Sequence, residues 1–233
     1  MSQVPRNAII IVMILGVLSG CGGGEPTPTG GDEPPVDVFF APEEYGSVMD
    51  QEGNVYPTVQ IGESWWMAAN LLSTTDPEGN TIESYCYDDL EENCQEYGRL
   101  YGLEAAMNGI SEEGARGICP EGWHVPTMEE WRALIVAVGG ESLAGGKLKE
   151  AGEDHWDHPN VGADNQSQLA ILPTGWFDFT GDFRGLGETC FLRSSTNPDP
   201  AYARIWILRN STARVKRGDL HPDDAIPLRC IKN

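Results

Sequence analysis

The chain is poor in positive charge. Lys and Arg together number 15 against 36 Asp and Glu, a net charge of −21 over 233 residues. Such a surface repels phosphate backbones, which excludes nucleic acid as a partner, and it disfavours anionic lipid headgroups. Neutral and cationic partners stay open. Apolar runs are short: Ala8 to Leu18 reads AIIIVMILGVL, well below the about 20 apolar residues that a membrane-spanning helix needs. There are only four histidines and no C-x-x-C or clustered Cys/His spacing, so no zinc site is expected. The glycine-rich stretch from Gly140 to Lys147 has Glu141 and Leu148 where a phosphate-binding loop requires Gly and Ser/Thr.

What is present begins at the N-terminus. Arg6 precedes the short apolar run, which ends in Leu18-Ser19-Gly20-Cys21. Run length and small residues before a cysteine suit a signal peptide, and the pattern resembles the bacterial lipobox. The resemblance implies that residues 1–20 are removed and that Cys21 carries diacylglyceryl as the new N-terminus. Its acyl chains would then hold the protein to the membrane at about 0.8 kcal/mol per buried methylene. Gly22-Gly23-Gly24 and EPTPTGGDEPP follow. This composition cannot bury enough surface to offset chain entropy, so residues 21–44 are expected to be the lipidated cysteine and a tether. Gly22 after the cysteine, by similarity to the sorting rule of Gram-negative lipoproteins, points to the outer membrane, at the cell surface or on the periplasmic face.

Residues 45–233 have the length of one domain with a real core. It holds five cysteines, and an exported protein meets an oxidising compartment. Cys86 and Cys94 flank a short acidic turn and are paired by proximity. Cys119 and Cys230 then form the long-range pair, one of three connectivities open to four cysteines, and Cys190 is left over. Closing the long loop would contribute about 4.7 kcal/mol in the chain-entropy view.

Two helices are expected. Thr127 and Glu130 form a capping box, after which Trp131, Leu134, Ile135 and Val138 line one face until Gly139-Gly140. A second helix is expected from Tyr97 to about Met107. Strands are expected at Val55–Ile61 and Ser64–Met67, joined by the hairpin signal Gly62-Glu63, then at Ala203–Leu208 and Thr212–Lys216, with Ile226 to Ile231 closing the sheet. Strands at both ends and helices between them make an α+β fold with an antiparallel sheet. Residues of about 150 to 200, with weak periodicity, read as a long loop region, where binding sites tend to lie. Asp50-Gln-Glu-Gly-Asn54 and Asp76-Pro-Glu-Gly-Asn80 echo each other and read as tight turns, lacking the ligands of a calcium loop.

An ordered series of runs carries a further resemblance. It comprises Asp50-x-x-Gly-Asn-Val-Tyr56, Val59-x-Ile-Gly62, Trp66-Met-Ala-x-Asn-Leu71, Tyr97-Gly-Arg-Leu-Tyr101 and Cys119-Pro-x-Gly-Trp-His-Val-Pro126. After these come Gly146-Lys-Leu-Lys149, Leu172-Pro-x-Gly175, Ser194-Ser-Thr196 and Leu228-Arg-Cys230. The series resembles the Fibrobacter succinogenes major paralogous domain over roughly residues 48–232. The helix start Val125-Pro-Thr-Met-Glu-Glu-Trp131 is similar to that of formylglycine-generating enzymes, which implies a C-type-lectin-like fold. The family resemblance implies the same cysteine pairing, a lipoprotein leader and roles in surface and polysaccharide adhesion. The chain departs from the family at Cys190-Phe-Leu-Arg193, where an aromatic tends to precede Ser-Ser.

Catalysis is not expected. Cys190 has no second thiol and no base in Thr189 or Phe191, and His124 reads as a structural histidine. His155-Trp-Asp-His158 lacks a fourth metal ligand. Calcium is the one cofactor kept open, because hard oxygen ligands are plentiful in this acidic chain; Asn197-Pro-Asp199 matches a lectin calcium turn only in part, and Asp164-Asn165 is too little to complete it. For a sugar, Trp156, Trp176, Phe177 and Phe179 offer ring faces in the loop region, while Asp178, Asp182 and Asn165 offer hydrogen bonds. Trp66, Trp123, Trp131 and Trp206 suit a core. The expected role is non-catalytic binding, to a polysaccharide or, alternatively, to a protein of the envelope.

Overall fold

The structure, a computed structural model, describes residues 44–197, 199 and 201–232. The expected signal peptide, Cys21 and the tether up to residue 43 lie outside the described residues. In chain order, β1 (Tyr45–Met49), β2 (Val55–Ile61) and β3 (Ser64–Met67) come first. Next are α1 (Glu91–Tyr97), β4 (Leu100–Tyr101), α2 (Leu103–Met107), β5 (Trp123–His124), α3 (Met128–Ala137) and α4 (Ala144–Leu148). The chain ends in strands: β6 (Thr174–Phe177), β7 (Phe183–Leu186), β8 (Thr189–Arg193), β9 (Ala203–Arg209), β10 (Lys216–Leu220), β11 (Ile226–Pro227) and β12 (Ile231–Lys232).

The fold is α+β, with antiparallel sheets, few and short helices, and two disulfides. The largest sheet has the order β1-β2-β3-β12-β5. Its last strand comes from the far end of the chain: Ile231 sits opposite both Trp66 and His124. A second sheet has the order β10-β9-β8, and two small pairs, β11-β4 and β6-β7, complete the set. Successive strand residues face opposite sides, so Trp66 and Met67 enter different clusters. Val59, Ile61 and Trp66 meet Trp131, Leu134 and Ile135 of α3 and Trp206 of β9. Tyr56 and Met67 meet Leu71, Tyr101, Ile118, Trp123 and Val125. The large sheet is therefore buried on both faces.

Local signals are realised where no distant group competes. The Thr127 hydroxyl accepts from the Glu130 amide at 3.1 Å, and the Thr127 amide donates to the Glu130 carboxylate at 2.8 Å. Glu130 also holds His124 at 2.8 Å, the structural role expected of that histidine. The disulfides are Cys86–Cys94 and Cys119–Cys230, with Cys190 free and buried. Both echo turns form alike. The carboxylate of Asp50 accepts from Glu52 and Asn54, and that of Asp76 from Glu78 and Asn80.

Two expectations are corrected. The helix placed at Tyr97–Met107 is broken into α1, β4 and α2. Gly98 takes a left-handed backbone (φ +83°) where a Cβ would overlap Asn70, which ends α1. The following residues pair instead with Tyr85 and with β11. The last hairpin strand lies at Lys216–Leu220 rather than Thr212–Lys216. Residues 210–215 form a loop, in which the Thr212 carbonyl, like that of Arg209 at the end of β9, turns inward to Lys149.

Candidate ligand-binding surface

Five of the residues proposed for ligand contact, Trp176, Phe177, Asp178, Phe179 and Asp182, lie in the β6–β7 hairpin. Its turn is organised by Asp178, whose Oδ1 accepts from the Thr180 amide (2.9 Å), the Thr180 hydroxyl (2.6 Å) and the Asp182 amide (3.2 Å). Its Oδ2 pairs with Arg184, which also holds Asp182 at 2.9 Å. The Thr180 hydroxyl and the Arg184 guanidinium keep the Asp178 carboxyl well below the usual carboxylate range. Asp178 is thus a turn-former, 9 % exposed, and its acceptors are used inside the hairpin. From the other side Asp224 accepts from the Phe179 and His221 amides at 2.9 and 3.1 Å, which ties the turn to the segment before β11.

This scaffold displays aromatic rings. Phe177 stacks on Tyr85 (4.3 Å between centroids, 29°) and touches Phe183 at 4.7 Å, which in turn meets Tyr87. Phe179, 61 % exposed, stacks on His221 at 4.5 Å. The Cys86–Cys94 bridge closes the segment between Tyr85 and α1, and Arg99 pairs with Glu91 at 3.0 Å within it. The Tyr85 hydroxyl donates to Glu83 at 2.6 Å. Burial and that carboxylate push its pKa up to about 12, so it stays a neutral donor.

A cleft of about 360 Å³ opens here, lined among others by Glu83, Tyr85, Glu104, Phe177, Phe179 and Asp223. A neighbouring groove of about 550 Å³ continues past α2, adding Met107, Ile110, Ser195 and Asn197 and sharing Leu103, Glu104, Pro222 and Asp223. No lysine or arginine lines either one among the described residues. Rings beside carboxylates suit a neutral polyhydroxylated or a cationic ligand: C–H faces pack on the rings and hydroxyl or ammonium groups donate to the acids.

Trp156, Trp176 and Asn165 do not line the cleft. Trp156 is 1 % exposed and belongs to the main core, its indole N–H donating to the Ile171 carbonyl at 2.9 Å. It cannot offer a ring face, which corrects its place in the site. Trp176 is half-buried against Phe191 (5.0 Å), on the side of β6 away from Phe177. Asn165 does not line the cleft; its side-chain oxygen accepts from the Ala170 amide at 2.8 Å inside its own turn. Asp164, its neighbour, is engaged by Lys147 at 2.8 Å.

The two imidazoles around Trp156 do not converge on a common point. His155 bridges Glu150 (2.8 Å) and Glu96 (2.7 Å), and His158 meets Glu153 (2.7 Å). Burial alone would lower the His155 pKa, but the hydrogen bonds to Glu150 and Glu96 outweigh it and raise it. Among the described residues the one cluster with metal-ligand proximity is Cys86, Glu91 and Cys94, and its sulfurs are joined to each other. Tyr85, Glu83, Glu104 and Asp223 were not legible as site residues. The one sequence signal near them is the disulfide cysteine adjacent to Tyr85.

Fold and surface together define a disulfide-braced α+β domain with an aromatic, acidic cleft. The chain belongs to the Fibrobacter succinogenes major domain family, whose model matches residues 59–232. No curated protein and no solved structure matches it.

Proposed function

We propose that the protein is an envelope lipoprotein, anchored through Cys21 in the outer membrane, whose domain binds carbohydrate without acting on it. The observation that carries the binding role is the stack of Tyr85 on Phe177 beside Glu83, Glu104 and Asp223 in one cleft. Aromatic faces with adjacent acceptors are what a sugar ring requires. The support has moved from the tryptophans to these rings, since Trp156 is buried. The proposal includes a C-type-lectin-like arrangement. In its favour are a first and a last strand that share one sheet and a loop-rich stretch that carries Phe177 and Phe179 of the cleft.

A second reading, docking of an envelope protein, is favoured by the exposed apolar side chain of Ile110 beside Leu103 and Met107 in the adjoining groove. One experiment separates the two. The protein is tested for binding to insoluble polysaccharides and a panel of neutral glycans, with calcium and then with chelator. Binding is expected for wild type and lost on Phe179→Ala and Tyr85→Ala, each checked for a native melting transition. Retention of full binding by both variants, or no glycan binding in either condition, would leave the protein-docking reading in its place. Loss of binding with chelator alone would identify calcium as a required ion.

A further inference from the structure

We propose that the β9–β10 hairpin carries a second binding site, one that takes the acidic groups of a polysaccharide, uronate carboxylates or sulfates. The site is independent of the aromatic cleft, and the reading does not rest on that one.

In a chain of net charge −21, cations are concentrated here. Arg204, Arg209, Arg214, Lys216 and Arg217 are all exposed on this hairpin and its loop. Two of them are committed: Arg217 lies 3.6 Å from Glu141 and packs over Trp206, and Arg204 lies 4.0 Å from Asp219. Among the described residues Arg209, Arg214 and Lys216 form no ion pair. These three line one cavity of about 300 Å³ with Ile207, Ser211 and Thr212. Three unpaired cations and two hydroxyls around an apolar floor are an anion-binding set.

The cavity is held from beneath by a fourth cation. Lys149 is fully buried, and its Nζ donates to the carbonyls of Arg209 (3.0 Å), Val161 (3.2 Å) and Thr212 (3.3 Å). No carboxylate offsets it among the described residues, and it sits 5.2 Å from the Trp156 ring centroid. A charge in that low-dielectric position is weakly screened. Further contacts fix the loop. The Gly146 amide donates to the Ala213 carbonyl at 3.2 Å, and the Val215 amide to that of Glu141 at 2.9 Å. A Cβ on Gly146 would overlap the Gly162 carbonyl, and one on Gly145 would lie 2.7 Å from the Ala213 oxygen. The loop is therefore shaped before any ligand arrives, which lowers the ordering cost of binding.

Charge density selects the polymer. Duplex nucleic acid presents one charge about every 1.7 Å, and most of it would face the acidic remainder of this surface. An acidic polysaccharide spaces its charges about one sugar apart, so one or two can enter the cavity without many others nearby. Ile207, which lines the cavity, packs with Trp176 on the small cluster of Phe191, Ile205 and Ile226, which fixes the cavity floor.

The test uses the full chain on immobilised polygalacturonate and heparin, with uncharged dextran as reference, at low and rising salt. Wild type is expected to bind both acidic polymers, to be released by salt, and to ignore dextran. Arg209→Gln/Arg214→Gln/Lys216→Gln is expected to weaken binding about tenfold or more, the equivalent of one charge-assisted hydrogen bond. Arg116→Gln/Arg132→Gln/Lys232→Gln, which removes the same charge from exposed positions elsewhere, should stay near wild type. Equal weakening by both triple variants, equal binding of dextran, or no binding of either acidic polymer would overturn the proposal. So would capture by phosphatidylglycerol vesicles alone, which would assign the site to lipid phosphate.

Discussion

The cleft beside α2 and the cavity under the β9–β10 hairpin are opposites in charge and in construction. The cleft gathers Glu83, Glu104 and Asp223 around aromatic rings and is held by the Asp178 turn and a short disulfide loop. The cavity gathers Arg209, Arg214 and Lys216 and is held by a buried ammonium and by glycines packed against backbone. Net charge describes the first and hides the second. A value of −21 disfavours a long phosphate polymer, yet it leaves room for a local positive site once three cations lack acidic neighbours.

The strongest way to break the comparison is through the disulfides. Cys119–Cys230 closes a separation of 111 residues and Cys86–Cys94 one of 8. Loop-closure entropy assigns about 4.8 kcal/mol to the first and about 2.5 kcal/mol to the second. The first ties the mid-domain to the residue just before β12, inside the core cluster of Met67, Tyr101 and Trp123. Cys119→Ser/Cys230→Ser should therefore lower the melting temperature most and depress cleft and cavity binding together. Cys86→Ser/Cys94→Ser should loosen only the wall beside Tyr85, reducing neutral-glycan binding while acidic-polymer binding stays. Calorimetry with both binding assays checks this, and equal loss at the two sites in the second variant would show that they are not separately supported.

Lys149 sharpens the contrast from the cavity side. Burial lowers its pKa from 10.5 to about 8. Between those values the unfolded chain binds more protons than the folded one, so the contribution of Lys149 to stability rises with pH. Below pH 8 both states are charged and the folded state bears the full cost of the buried cation. The difference across the window is on the order of 3 kcal/mol. Lys149→Met removes the titrating group, so the stability of wild type relative to this variant should climb from pH 8 to 10.5 in denaturant titrations. A constant difference would mean that the three carbonyls hold the charge at no net cost. Buried tyrosines and Cys190 titrate in both proteins and cancel.

What could be read beforehand was local. The Thr127–Glu130 box and the Asp50 and Asp76 turns each close within five residues, so their hydrogen bonds are written in consecutive side chains. The pairing of Cys119 with Cys230 was also legible, because few cysteines were available. The break at Gly98 was not, since it depends on where Asn70 lies. Trp156 was misplaced for a related reason: its segment has no apolar period, and the Ile171 carbonyl that takes its N–H comes from another part of the loop region. Tyr85 reaches Phe177, and Arg209 reaches Lys216, only through sheet and hairpin geometry. Both candidate sites are thus tertiary, whereas the elements that carry them are largely local.

The gentlest probe acts on the cleft alone. Asp178 accepts three hydrogen bonds and an ion pair inside the β6–β7 turn, and Thr180 and Arg184 depress its pKa below the ordinary 3.8. A depressed carboxylate contributes stability that is complete above its unfolded pKa and is lost as pH falls below about 4. Asp178→Asn keeps the shape of the side chain but removes the charge. Its melting temperature should lie slightly below wild type at pH 7, with the gap narrowing towards pH 3. Because Arg184 is half exposed and solvent screens the pair, this is the smallest of the expected effects on stability. Its effect on binding should be confined to the neutral-glycan assay, since the turn carries Phe177 and Phe179 and lies apart from Arg209 and Lys216. A gap that stays constant with pH would mean that shape rather than charge holds the turn. Loss of acidic-polymer binding in the same variant would show that the hairpin transmits to the cavity through Trp176, which faces away from Phe177 on the same strand.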